Sequence, residues 1–101
     1  MNVRIANDDD KTTVFISGSV DIPGAENLKK TFNQIAEANP QPKEVWVDFG
    51  EVNFIGSSGI GKLLLFYKKF TSKGGKVIIV NLNKEITALF KAIKLDKLFN
   101  I

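Results

Sequence analysis

Residues 45–80 read VWVDFGEVNFIGSSGIGKLLLFYKKFTSKGGKVIIV, and the order of periodicities inside this stretch decides the fold. Val45 to Phe49 is short and dense in β-formers, as is Lys76 to Val80, so both are expected to be buried interior strands. Between them a loop, Gly50 to Gly56, leads into a helix of roughly Ser58 to Ser72, which Lys73-Gly74-Gly75 ends. On that helix Ile60, Leu63, Leu64, Tyr67 and Thr71 share one side, which suits a core. A strand, a helix and a strand in succession imply parallel neighbours joined by a right-handed crossover.

The flanks extend the same plan. Val3 and Ile5 alternate with polar residues before Asn7-Asp8-Asp9-Asp10, and Thr13 to Ser19 resumes as a β-branched and aromatic run, which predicts a hairpin with an acidic turn. Asp21-Ile22-Pro23-Gly24 carries helix-start chemistry, an Asp able to cap free amides and a Pro suited to the first turn. Leu28, Phe32, Ile35 and Ala36 then recur at helical spacing until Asn39-Pro40-Gln41-Pro42 stops the helix. Downstream, Asn83 is a cap and Ile86, Leu89, Phe90 and Ile93 stripe another helix. Leu95, Leu98, Phe99 and Ile101 are expected to pack as a short terminal helix or strand, and Trp46 to lie in the core.

The expectation is one α/β domain over residues 1–101. Its mixed sheet has four to five strands and begins with a hairpin, and about four helices lie mainly on one face.

Composition prunes the functions. The chain has 101 residues, no cysteine and no histidine, so disulfides and thiolate chemistry are excluded, and so are the commonest general base and metal ligand. A net charge of +3 with a single arginine, Arg4, is a weak footprint for nucleic acid. The polar start ending in three aspartates is unlike a signal peptide, and no apolar run approaches the roughly 18 residues needed to span a bilayer. A cytoplasmic protein without membrane insertion is expected. Lys84, Lys91, Lys94 and Lys97 make a solvated face.

The chemistry concentrates where Gly56, Ser57, Ser58, Gly59 and Gly61 hand a strand over to a helix. Free amides and the positive end of the helix dipole make such a corner receptive to anions. In the plainest reading, Ser57 or Ser58 caps the helix and the glycines permit a tight turn. Gly56 to Lys62 also matches G-x-x-x-x-G-K, but Leu63 replaces the Mg²⁺-binding hydroxyl and Asn81 follows the later strand where an Asp would hold the metal. A G-x-S-x-G elbow fails as well, because Ile60 stands at the second glycine and no His exists for a triad. Neither enzymatic motif survives, and no cofactor is implied.

From Val47 to Ile101 the sequence closely resembles the STAS domain of bacterial anti-sigma factor antagonists. The pattern is a strand, a loop, Asp-Ser-Ser/Thr-Gly-hydrophobic-Gly and a helix. Upstream, Ile16-Ser17-Gly18-Ser19-Val20-Asp21 is similar to the family's Gly-x-apolar-Asp segment, and Gly74-Gly75-Lys76 to its glycine turn. The resemblance implies a non-enzymatic domain that binds an anti-sigma factor with serine kinase activity and so releases a sigma factor. It further implies reversible phosphorylation on Ser57, with Ser58 the second hydroxyl position, reversed by a serine phosphatase of the metal-dependent type. Gly56 departs from the pattern, standing where the family has an acidic residue.

Beside the serines, Leu65 and Phe66 fall off the core-facing side of the helix, among Lys62, Lys69 and Lys73. Either they pack against a neighbouring helix, or they form an apolar patch with a lysine rim suited to an acidic partner. Asp21 is either the cap of the first helix or part of the loop surface near Ser57. The expected partner surface therefore comprises Asp21, Gly56, Ser57, Ser58, Gly59, Lys62, Leu65, Phe66 and Lys69. Two other readings stay open: a non-switching STAS subunit of a lipid-transport or signalling complex, in which Ser57 only caps, and a nucleotide-binding protein using Gly56 to Lys62.

Overall fold

Alternating apolar residues in the first twenty positions form a hairpin in the computed structural model, which describes residues 1–101. Strand β1 (Asn2–Asp8) pairs antiparallel with β2 (Lys11–Val20), with Asp8 opposite Lys11 across the Asp9-Asp10 turn. Asp9 sits at φ 53, a left-handed conformation that Asp tolerates in tight turns.

Helix α1 (Ile22–Ala36) returns to the start of β3 (Glu44–Ile55), which runs parallel to β2. Helix α2 (Ser57–Thr71) returns to β4 (Lys76–Val80), parallel to β3. Helix α3 (Lys84–Ala92) follows, capped by the Asn83 side chain, which accepts from the Ile86 N–H at 2.8 Å. The sheet order is β1-β2-β3-β4.

The α/β class, the mixed sheet and the opening hairpin agree with the sequence reading, and four details differ. There are three helices, because Asp96 to Asn100 form turns; Phe99 is still buried, edge-on to Tyr67 at 5.2 Å. Strand β4 is an edge strand; its apolar run reflects packing of Val77 and Ile79 under α2. Trp46 is half-buried on the far face of the sheet, its indole N–H donating to Glu44 Oε1 at 2.9 Å.

Finally, residues 50–55 continue β3. Their alternation is broken by two register shifts against β2, one between Phe15 and Ser17 and one between Gly18 and Ser19. Each shift places one more residue on β3 than on β2, so Gly50 and Glu51, then Asn53 and Phe54, are exposed in succession while Val52 and Ile55 stay buried. A strand with two bulges loses period two and resembles a loop in sequence.

One side of the sheet carries the core. Val14, Ile16, Val45, Val47, Phe49 and Val77 meet Leu28, Phe32, Leu63, Phe70 and Phe90 from the helices in a single cluster of 20 buried residues. Every buried side-chain nitrogen and oxygen has a hydrogen-bond partner, so no polar group opposes the burial.

Candidate functional site

The carboxyl ends of β2 and β3 lie side by side, and each feeds a helix, so two helix starts meet at one end of the sheet. The Gly56 N–H donates to the Val20 carbonyl at 3.0 Å, tying the corner before α2 to the corner before α1. Asp21 caps α1: its Oδ1 accepts from the Gly24 N–H at 2.9 Å, with Pro23 in the first turn. The side chain is also exposed, so the capping residue belongs to the same outer rim.

Helix α2 begins differently. Its N-cap is Gly56, which supplies no side-chain hydrogen bond, and Ser57 is the first helical residue. The plain reading in which a serine caps this helix therefore does not hold. Ser57 is exposed and Ser58 half-buried.

Gly59 is buried, and a Cβ there would come within 2.6 Å of Val20 Cγ1 and 3.0 Å of Ile55 Cγ1. Only a hydrogen fits, and that close approach presses the first turn of α2 onto both strands. The strands thereby hold Ser57 on a fixed outer corner.

Two apolar residues beside this corner escape sequence reasoning. Ile22 is 71% exposed at the start of α1, and Phe54 is 51% exposed, its ring 3.5 Å from where a Gly56 Cβ would stand. Phe54 faces outward because of the second bulge in β3; strict alternation after the buried Val52 would point it into the core. A residue whose orientation depends on a bulge gives no signal in a period-two pattern.

Along α2, Ser58, Lys62, Leu65 and Lys69 recur at i, i+4, i+7 and i+11 and so share one stripe. Leu65 is 64% exposed, whereas Phe66 is 3% exposed and belongs to the α1–α2 interface. Its ring stacks on Phe32 at 4.3 Å with an 11° interplanar angle and on Phe70 at 5.3 Å. Phe66 is therefore withdrawn from the expected partner surface: the neighbouring-helix alternative applies to it, and the surface alternative to Leu65.

A small recess of about 80 Å³ opens between the two helices, lined by Lys29, Phe32, Lys62, Leu65, Phe66 and Lys69 among others. Lys62 pairs with Glu26 at 3.8 Å, and Lys29 and Lys69 are exposed. Leu65 lies eight residues beyond Ser57, roughly 12 Å along the axis, whereas Phe54 and Ile22 sit at the ends of the elements that form the corner itself.

A mixed sheet with helices on one side, two parallel crossovers and a serine on the outer lip of the second crossover helix is an α/β architecture of one recognisable kind. The chain belongs to the STAS domain family, whose model matches residues 2–101.

It is similar to the anti-sigma-B factor antagonist of Bacillus subtilis, with 24% identity over 101 residues covering 100% of this chain and 90% of that protein. The fold is shared with a putative anti-sigma factor antagonist from Thermotoga maritima, at a TM-score of 0.84 and 21% identity over 94% of this chain and 80% of that one. It is also shared with the Bacillus cell fate determinant SpoIIAA in its phosphorylated form, at a TM-score of 0.77 and 15% identity over 95% and 86% of the two chains.

No helix is long and apolar enough to cross a membrane.

Proposed function

We propose that this chain is an anti-sigma factor antagonist. Unphosphorylated, it docks through the Ser57 corner onto an anti-sigma factor that is also a serine kinase, and so frees a sigma factor. Phosphorylation of Ser57 breaks the complex, and a metal-dependent serine phosphatase restores it. The observation that carries the reading is the exposed Ser57 on the uncapped first turn of α2, flanked by the outward-facing Phe54 and Ile22. The similarity to an anti-sigma-B factor antagonist and to a phosphorylated protein of the same fold supports it.

The geometry makes the switch physically sound. A phosphoryl group adds a charge near −2 and three acceptor oxygens. At the start of α2 the helix dipole and free amides tolerate that charge, so the domain stays folded. In the docked state the same dianion is pressed against a partner and stripped of water, and about 1.4 kcal/mol of uncompensated cost weakens binding tenfold. Phe54, Ile22 and Leu65 supply apolar contact and Lys62 and Lys69 a basic rim, which suits a partner with an acidic border.

The test is a titration against the kinase-type anti-sigma factor of the same organism. Wild type forms a 1:1 complex, and Ser57→Glu keeps its circular dichroism and melting temperature but binds at least about tenfold more weakly. With ATP present the wild type acquires one phosphate by mass spectrometry, and Ser57→Ala acquires none. Unchanged affinity in Ser57→Glu, or a phosphate retained in Ser57→Ala, overturns the assignment.

A further inference from the structure

All three helices lie on one side of the sheet, and the opposite side is uncovered. The strand registers fix what that side presents. Its outermost row, from β1 to β4, is Asp8, Lys11, Glu44 and Lys76; the next is Ala6, Thr13, Trp46 and Ile78; the third is Arg4, Phe15, Asp48 and Val80. The second row is therefore mostly apolar around Trp46, the third carries Arg4 and Asp48 on either side of Phe15, and the first row alternates in sign.

None of these charges is in an ion pair within the chain, although Glu44 accepts from the Trp46 indole. The two ion pairs of the molecule, Lys43–Asp10 and Lys62–Glu26, lie elsewhere. Instead Lys11 Nζ sits 3.9 Å over the Trp46 ring and the Arg4 guanidinium 4.1 Å over Phe15. Both cations thus cover aromatic rings that the fold leaves half-buried.

A two-fold axis parallel to the strands and midway between two facing sheets reverses the strand order while keeping each row opposite itself. It brings Asp8 onto Lys76 of a second copy and Lys11 onto Glu44, so every charge in the row meets its opposite. In the second row it lays Trp46 on Thr13 and Ile78 on Ala6. The mirrored order −, +, −, + is the condition for such self-complementarity; +, +, −, − would also satisfy it, but +, −, −, + would not. Two sheets packed face to face with nearly aligned strands is an ordinary arrangement.

We infer that this open face is the contact between two copies of the chain in a symmetric dimer. Four strands about 4.8 Å apart and some seven residues long give a footprint on the order of 400 Å² per copy. That is small against stable interfaces, so the dimer is weak and forms at high micromolar concentration. The Ser57 corner lies at the end of the sheet and the helices on its other side, so a dimer leaves both free.

The experiment is sedimentation equilibrium from about 10 µM to about 1 mM, with Trp46 emission followed over the same range. Wild type dimerises and its emission moves to the blue as the indole is covered. Asp8→Lys and Lys76→Asp, on opposite edges of the sheet and about 14 Å apart, each weaken association about tenfold or more, since a symmetric dimer repeats every clash twice. The double variant Asp8→Lys with Lys76→Asp returns to within about threefold of wild type, because those positions meet only between copies. A wild type that stays monomeric at the highest concentration, or a double variant no better than the singles, overturns the inference.

Discussion

Gly59 and Gly56, three residues apart, meet opposite steric conditions. An added methyl at Gly59 would stand 2.6 Å from Val20 Cγ1, and both Val20 and Ile55 are locked in the core. Gly59→Ala should cost about 1–3 kcal/mol, the usual range for overpacking. At Gly56 the backbone is extended, φ −89 and ψ 176, and the nearest atom to a new Cβ is the Phe54 ring at 3.5 Å, an ordinary contact. Gly56→Asp should fold normally and gain a few tenths of a kcal/mol, because an Asp at an N-cap without a side-chain bond can accept from the first turn. Urea denaturation of both variants checks the pair, and loss of stability in Gly56→Asp would contradict the geometry.

The helices show how much of a site periodicity can reveal. Asp21 and Asn83 are legible as caps, and both cap, because capping is a local preference that needs no tertiary information. Leu65 and Phe66 are adjacent and equally apolar, yet one is exposed and the other stacked on Phe32. What separates them is the direction from which α1 approaches, which no property of α2 alone contains. Phe66→Ala should lose about 3–5 kcal/mol by emptying a closely packed site. Leu65→Ala should shift stability by less than about 0.5 kcal/mol while weakening the anti-sigma factor complex, as thermal melts and the same titration would show. Phe54 and Ile22 were hidden for a related reason. A bulge turns the first outward, and the second sits in a helix start that reads only as punctuation.

At the scale of the whole molecule, the strand and helix order, the opening hairpin and both crossovers are legible, since each rests on a strong period or on turn residues. The edge position of β4 is not, because Lys76 to Val80 are as apolar as an interior strand. Trp46 misleads similarly: a tryptophan inside a strand suggests the core, but register places it on the face opposite the helices. The buried cluster draws on three strands and three helices at once, so no part can lose its packing alone. Unfolding in urea should therefore be one cooperative transition, with Trp46 fluorescence and far-ultraviolet circular dichroism giving coincident midpoints. Separate midpoints would mean that the hairpin or α3 unfolds independently.

The two surplus residues of β3 work as a phase adjuster for everything that follows them. Deleting one, Asn53 for instance, would restore even pleating at the second bulge. Phe54 would stay outward opposite Ser19 and Ile55 inward opposite Val20, but the bend and extra twist that the bulge gives the strand just before the serine's corner would be lost. Length in this short segment therefore sets the direction in which β3 delivers its end, and a strand one residue shorter would keep its faces but aim the corner differently.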